Sequence, residues 1–129
     1  MRKLKIISLV ILILFYLIAG INHFRNPASY IKIIPSYLRS PHVLNYLAGL
    51  CEIGFAILLI FRKTRAVAAW GIILMLIAFL PVHISMIGDS PLQLGSLQVT
   101  PLLAWIRLLL LQPLLILWAW WYTFDKPAR

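Results

Sequence analysis

The sequence predicts an all-α membrane protein: a bundle of four transmembrane helices with a short amphipathic outer segment between the first two. Three observations carry this. Hydrophobic residues make up 63% of the chain and charged residues 12%, against ~45–50% and ~25% in ordinary soluble domains. A single chain of 129 residues has too little interior to hide that much apolar surface from water. The apolar residues are also gathered into four runs of about 20, the length that crosses a bilayer. Soluble enzymes, disordered regulators and disulfide-stapled secreted domains are excluded together. The runs do not alternate in character, which excludes a membrane β-barrel. Only helices satisfy the backbone inside such runs.

The first helix is expected at about residues 6–24. Met-Arg-Lys-Leu-Lys resembles the start of a signal peptide, but the apolar stretch is long and no A-x-A-like site follows Gly20, so it reads as a retained helix. Residues 26–41 form the outer segment. Asn26-Pro27 suits an N-cap and first helical position. Tyr30, Ile33, Ile34 and Tyr37 recur at helical spacing, and Pro35 and Pro41 limit any helix to short pieces. The segment is expected to lie on the membrane surface, as a lid or an anchor. The second helix is expected at 43–61, the third at 66–87 and the fourth at 102–122. Trp118, Trp120, Trp121 and Tyr122 close the fourth as an interfacial aromatic anchor.

The net charge of +9 comes from short basic clusters between the apolar runs. Membrane lipids explain it, and nucleic acid does not. Arg2, Lys3, Lys5, Arg62, Lys63, Arg65, Lys126 and Arg129 fall on the side of the N-terminus, eight residues in all. Three fall on the other side, Arg25, Lys32 and Arg39. This imbalance puts both termini in the cytoplasm, in a multi-pass protein of a bacterial inner membrane. The lone Cys51 allows no internal disulfide and reads as a small packing residue.

Two ionisable residues lie well inside spans, Glu52 and Arg107. Such residues are costly in lipid and are expected to face the bundle interior with a partner. At ~1.5 Å per residue, Glu52 lies roughly 14 Å below the outer boundary and Arg107 roughly 8 Å. That gap is within reach of an arginine side chain, so a Glu52–Arg107 pair is expected. His23 and His83 close the first and third helices at roughly 5 Å depth on the same side, with Asn22 beside the former. His23, Glu52, His83 and Arg107 are thus expected to line one outward-facing pocket beneath the 27–41 segment, each from a different helix. Small-residue stripes support this: Asn45, Ala48, Gly49, Glu52 and Ala56 share one face, as do Tyr16, Ala19, Gly20 and His23. The inner half shows no matching polar set. Gln112 falls about 140° from Arg107 on an ideal helix, a phase that Pro113 can change by kinking. No H-E-x-x-H spacing points to a metal.

Ala19-Gly-Ile-Asn-His-Phe, the Asn26–Leu38 stretch with Ile-Ile-Pro-Ser-Tyr-Leu, and Asn45-Tyr-Leu-Ala-Gly-Leu-Cys-Glu52 together resemble the DoxX-like (DoxX/MauE-like) family of small four-helix integral membrane proteins. Arg65-Ala-Val-Ala-Ala-Trp-Gly and Pro81-Val-His-Ile-Ser-Met continue the resemblance, which covers roughly residues 10–125. It implies a four-helix bundle linked with redox systems, including subunits of quinone-linked sulfur oxidation and proteins of methylamine use, and in other members assembly partners of membrane proteins. His23, Glu52 and His83 match recurrent polar positions of that family. The resulting expectation is a redox-associated accessory subunit with a membrane or redox protein partner. It carries no intrinsic cofactor, since no haem, iron–sulfur or flavin motif is present. Its pocket would take a small, partly apolar ligand such as a quinone or a lipid, bound through Asn22, His23, Glu52, His83 and Arg107. The alternatives are a non-enzymatic assembly or scaffolding protein, whose polar groups only fix helix packing, and a small transporter.

Overall fold

The computed structural model describes residues 1–126; Arg129, counted above in the charge imbalance, lies outside the described residues. Helix α1 runs from Arg2 to Arg25 and α2 from Pro27 to Ile33. Helix α3 covers Pro41–Ile60. The third span, Arg65–Asp89, is broken into α4 (Arg65–Ala78) and α5 (Leu80–Asp89). Strands β1 (Leu92–Leu94) and β2 (Leu97–Val99) follow. The fourth span is α6 (Pro101–Ile106), a π-helical turn (Arg107–Leu111) and α7 (Gln112–Trp120).

Four helical stretches are long and apolar enough to cross a membrane, and between 17% and 39% of each is buried inside the protein. Large apolar side chains such as Ile18, Leu50, Val67, Leu74 and Leu109 point outward on all sides. In water such a surface would aggregate; in lipid it is the ordinary exterior. The protein is a multi-pass membrane protein built as a four-helix bundle.

Small residues bring the helices together. α1 and α3 cross at Gly20 and Gly49, where a Cβ on Gly20 would sit 2.9 Å from the Gly49 carbonyl oxygen and one on Gly49 2.8 Å from the His23 Cβ. Gly71 of α4 leaves room for the Phe55 ring of α3. Ala56, Ala68, Ala69 and Ala119 are fully buried between Leu12, Leu59 and Ile72, the close-packing device that membrane bundles use in place of a hydrophobic drive. Cys51 packs against this core, as a small apolar residue should. The ring closes between α1 and the end of the fourth span through long side chains: Trp118 Nε1 of α7 donates to Ser8 Oγ at 2.8 Å, and the hydroxyl of Tyr122, just beyond α7, to the same oxygen at 2.8 Å.

The third span was expected to be continuous. Pro81 has no N–H for the Ile77 carbonyl, and its ring displaces that carbonyl, so α4 ends at Ala78 and a new helix begins at Leu80. In the fourth span Pro113 likewise removes a donor. The chain widens there so that the Gln112 N–H reaches the Arg107 carbonyl, an i→i+5 bond. The Thr100 hydroxyl caps the start of α6 by accepting from the Leu103 N–H at 3.2 Å. Asn26 does sit at the N-cap position of α2, but its side chain caps nothing and reaches back to Asn22 at 3.4 Å.

The loop between α5 and α6 forms an antiparallel hairpin with Leu92 opposite Val99 and Leu94 opposite Leu97. Its turn carries Gly95 at φ +58°, the left-handed conformation a tight hairpin turn needs. Leu92, Leu94 and Val99 pack with Met86, Ala104 and Ile33 into a second small core. This core caps the end of the bundle remote from the termini, hereafter the loop end.

Candidate functional site

The Gly20–Gly49 crossing sets the geometry of the site. One turn beyond Gly20 stands His23; one turn to either side of Gly49 stand Asn45 and Glu52. Because the backbones nearly touch, these three side chains meet. Asn45 Nδ2 donates to the His23 carbonyl at 3.0 Å, and Asn45 Oδ1 lies 2.8 Å from His23 Nδ1. His23 Nε2 lies 3.4 Å from Glu52 Oε2. His23 and Glu52 are 7% and 6% exposed.

These contacts fix protons. A carbonyl oxygen only accepts, so the Asn45 amide nitrogen must face it and Oδ1 must face the imidazole. His23 Nδ1 therefore carries a hydrogen and donates to Asn45. His23 Nε2 is then the ring atom turned to Glu52, with no hydrogen bond between them, so a basic ring and a carboxyl group lie side by side in a buried site. Tyr30 of α2 covers it: its ring stacks on His23 with centroids 3.8 Å apart, and Asn22 Nδ2 donates to its hydroxyl at 2.8 Å. The outer segment is thus a cover over His23. Tyr37, expected on the same apolar face, is 70% exposed instead.

Arg107 and His83 make no hydrogen bond or ion pair with His23 or Glu52 among the described residues. Both are half-buried. The π turn places Arg107 and Gln112 one turn apart on the same face, and Arg107 Nη1 donates to Gln112 Oε1 at 2.6 Å. Gln112, fully enclosed, donates its own Nε2 to the Leu76 carbonyl, in the stretch where Pro81 interrupts the third span. The expected Glu52–Arg107 ion pair is not formed. Glu52 turns to His23, and Arg107 is drawn to Gln112 by a helical phase that ideal α geometry does not give. Of the four residues expected together, only His23 and Glu52 meet; Arg107 pairs with Gln112 instead, and His83 makes no hydrogen bond or ion pair with the others among the described residues.

Three buried polar atoms make no hydrogen bond among the described residues: the Tyr16 hydroxyl, His83 Nδ1, and Glu52 Oε2, which approaches His23 Nε2 at 3.4 Å without hydrogen-bond geometry. Such atoms are rare in native interiors, and each calls for an explanation such as water, an ion or a ligand. Two cavities lie away from these atoms. One of ≈490 Å³ opens at the terminal end of the bundle, and one of ≈190 Å³ lies against Ile18, Ile21, Asn22 and Arg25. Neither is lined by Glu52, His83 or Arg107.

Sequence reasoning missed a second polar set, at the terminal end. Asp125 accepts from Lys5 and, at 3.1 Å, from Arg65 Nη1. Burial would raise the Asp125 carboxyl, but hydrogen bonds and charge from Lys5 and Arg65 outweigh it and hold the carboxyl below its ordinary range. Arg65 also donates from Nε to the Leu59 carbonyl at 2.9 Å and from Nη2 to the Ile60 carbonyl at 3.2 Å, closing the end of α3. A lone acid just beyond an aromatic anchor was the available signal.

A four-helix membrane bundle with an acid–base pair buried at its loop end is the class of protein this architecture defines. The chain belongs to the family of the domain of unknown function DUF8561, whose model matches residues 12–123. No curated protein and no solved structure matches it.

Proposed function

We propose that the protein is a redox-associated accessory subunit of a bacterial inner membrane, with both ends of the chain in the cytoplasm, and that the loop-end cluster takes a small, partly apolar, quinone-like molecule. The observation that carries this reading is the set of three buried polar atoms without a hydrogen bond, Tyr16 Oη, Glu52 Oε2 and His83 Nδ1. A ring with carbonyl or hydroxyl oxygens would satisfy them, and the surrounding helices supply its apolar walls. Arg107 has five N–H donors and one recorded bond, to Gln112, so it has donors left for a carbonyl oxygen. His23 and Glu52, side by side, are the groups that would give a proton to a ligand oxygen or take one from it. The resemblance to DoxX-like proteins points the same way.

The test is native mass spectrometry of the full chain purified in mild detergent. A quinone-mass adduct on the wild type, lost in folded Glu52→Gln and Arg107→Gln variants, is the expected result. Identical lipid adducts on all three proteins, with no quinone, would end this reading.

A second reading, an assembly or scaffolding protein, is favoured by the position of the cavities away from Glu52 and by the way the same polar groups tie helices in pairs. On that reading, both substitutions lower the melting temperature and leave the bound small molecules unchanged.

A further inference from the structure

The ≈490 Å³ cavity at the terminal end lies at the opposite end of the molecule from the cluster just described. Arg2, Lys5, Arg62, Arg65 and Lys126 line it, and Asp125 is its one carboxylate. Five cations therefore face one anion. Lys5 and Arg65 are already held by Asp125, whereas Arg2, Arg62 and Lys126 have no ion-pair partner among the described residues. The remaining charge is unbalanced and gathered in one concavity, within the roughly 300–1,000 Å³ of small-molecule sites.

The cavity is also two-faced. Ile6, Leu9 and Phe124 form its apolar side, and Ile6 and Phe124 are themselves exposed on the outer surface of the bundle. Trp120 meets the Phe124 ring edge-on, with centroids 5.0 Å apart, and Trp120 and Trp121 are exposed, side chains of the kind enriched where a bilayer meets water. An apolar wall that continues onto the exposed apolar surface, in a cavity that five cations also line, matches an amphiphile with a negative head and an acyl tail.

We propose that this cavity is a binding site for the phosphate headgroup of an anionic phospholipid. Arg2 and Arg62 are the principal phosphate contacts, Lys5 and Arg65 are positioned by Asp125 at its edge, and Ile6 and Phe124 lie along the first part of the tail. The shared chemistry is a phosphate anion. The apolar wall favours a lipid over free phosphate as its source.

The test uses the full chain in neutral detergent micelles, with melting temperature followed as phosphatidylglycerol, phosphatidylcholine or inorganic phosphate is added. Phosphatidylglycerol should stabilise more than phosphatidylcholine, and inorganic phosphate should do little. The Arg2→Gln/Arg62→Gln double variant should need roughly tenfold or more phosphatidylglycerol for the same effect. Lys3→Gln/Lys63→Gln removes the same charge at the same end from exposed residues outside the cavity, and should leave the response near wild type. Equal weakening by both double variants would mean diffuse surface charge and overturn the site. Stabilisation by inorganic phosphate equal to that by phosphatidylglycerol would overturn the lipid as its source.

Discussion

Asn45 decides where the hydrogen on His23 sits. The amide is locked by the His23 carbonyl, which takes its nitrogen at 3.0 Å, and so presents its oxygen to Nδ1. Replacing Asn45 by Leu keeps much of the volume and removes both bonds. Two polar groups of His23 would then be left in an apolar interior, at a cost of about 1–3 kcal/mol each where nothing else reaches them. The expected outcome is a lower melting temperature and loss of the Nδ1–H signature in nitrogen NMR of His23. An unchanged imidazole spectrum would show that Asn45 does not set the tautomer. The stripe that carries Asn45 was readable in the sequence, because Gly49, Glu52 and Ala56 repeat at steps of three and four. Its bond to His23 was not, because that depends on how closely two separate helices approach, and only the Gly20–Gly49 contact reveals it.

The two broken spans matter more than the two unbroken ones, α1 and α3, for placing Arg107. Pro81 interrupts one span and Pro113 widens the other, and Gln112 joins the two irregularities by bonding Arg107 on one side and the Leu76 carbonyl on the other. Gln112→Leu should therefore free both. The Leu76 carbonyl loses its side-chain partner, and the expected destabilisation is about 1–2 kcal/mol, the scale of interhelical hydrogen bonds in membranes. Hydrogen exchange should rise at Phe79 and Leu80, at the junction of α4 and α5. If exchange there stays at the wild-type rate, Gln112 is not what holds the break. The apolar runs were long enough to announce all four spans, since lipid demands length and composition alone. The π turn had no such signal: nothing in Arg-Leu-Leu-Leu-Leu-Gln-Pro separates a kink from a widened turn, and the phase of Arg107 depends on which one forms. The hairpin did carry a signal, two alternating triplets around Gly95-Ser96.

Across the whole molecule, closure of the bundle depends on its terminal end. α1 and the end of the fourth span meet there through Ser8, Trp118 and Tyr122, and Asp125 gathers Lys5 of α1 and Arg65 of α4. One carboxylate thus ties three of the four spans where the chain begins and ends. Folding lowers the Asp125 pKa from its ordinary value of 3.8. The stability this contributes is complete above that value and is lost as pH falls through the lower folded value. The chain has only two other acidic side chains, Glu52 and Asp89, so the acid limb of a stability profile carries few competing carboxyls. Melting temperature should fall for the wild type as the medium is acidified below about pH 4. Asp125→Asn should melt lower at neutral pH and show a shallower acid limb, because the group that titrates is gone while Lys5 and Arg65 are left facing each other. Lys5→Gln should reproduce part of the loss, Arg65→Gln more of it, since Arg65 also closes the end of α3. Parallel acid limbs for the wild type and Asp125→Asn would show that the bundle is held at this end by the Ser8, Trp118 and Tyr122 contacts instead.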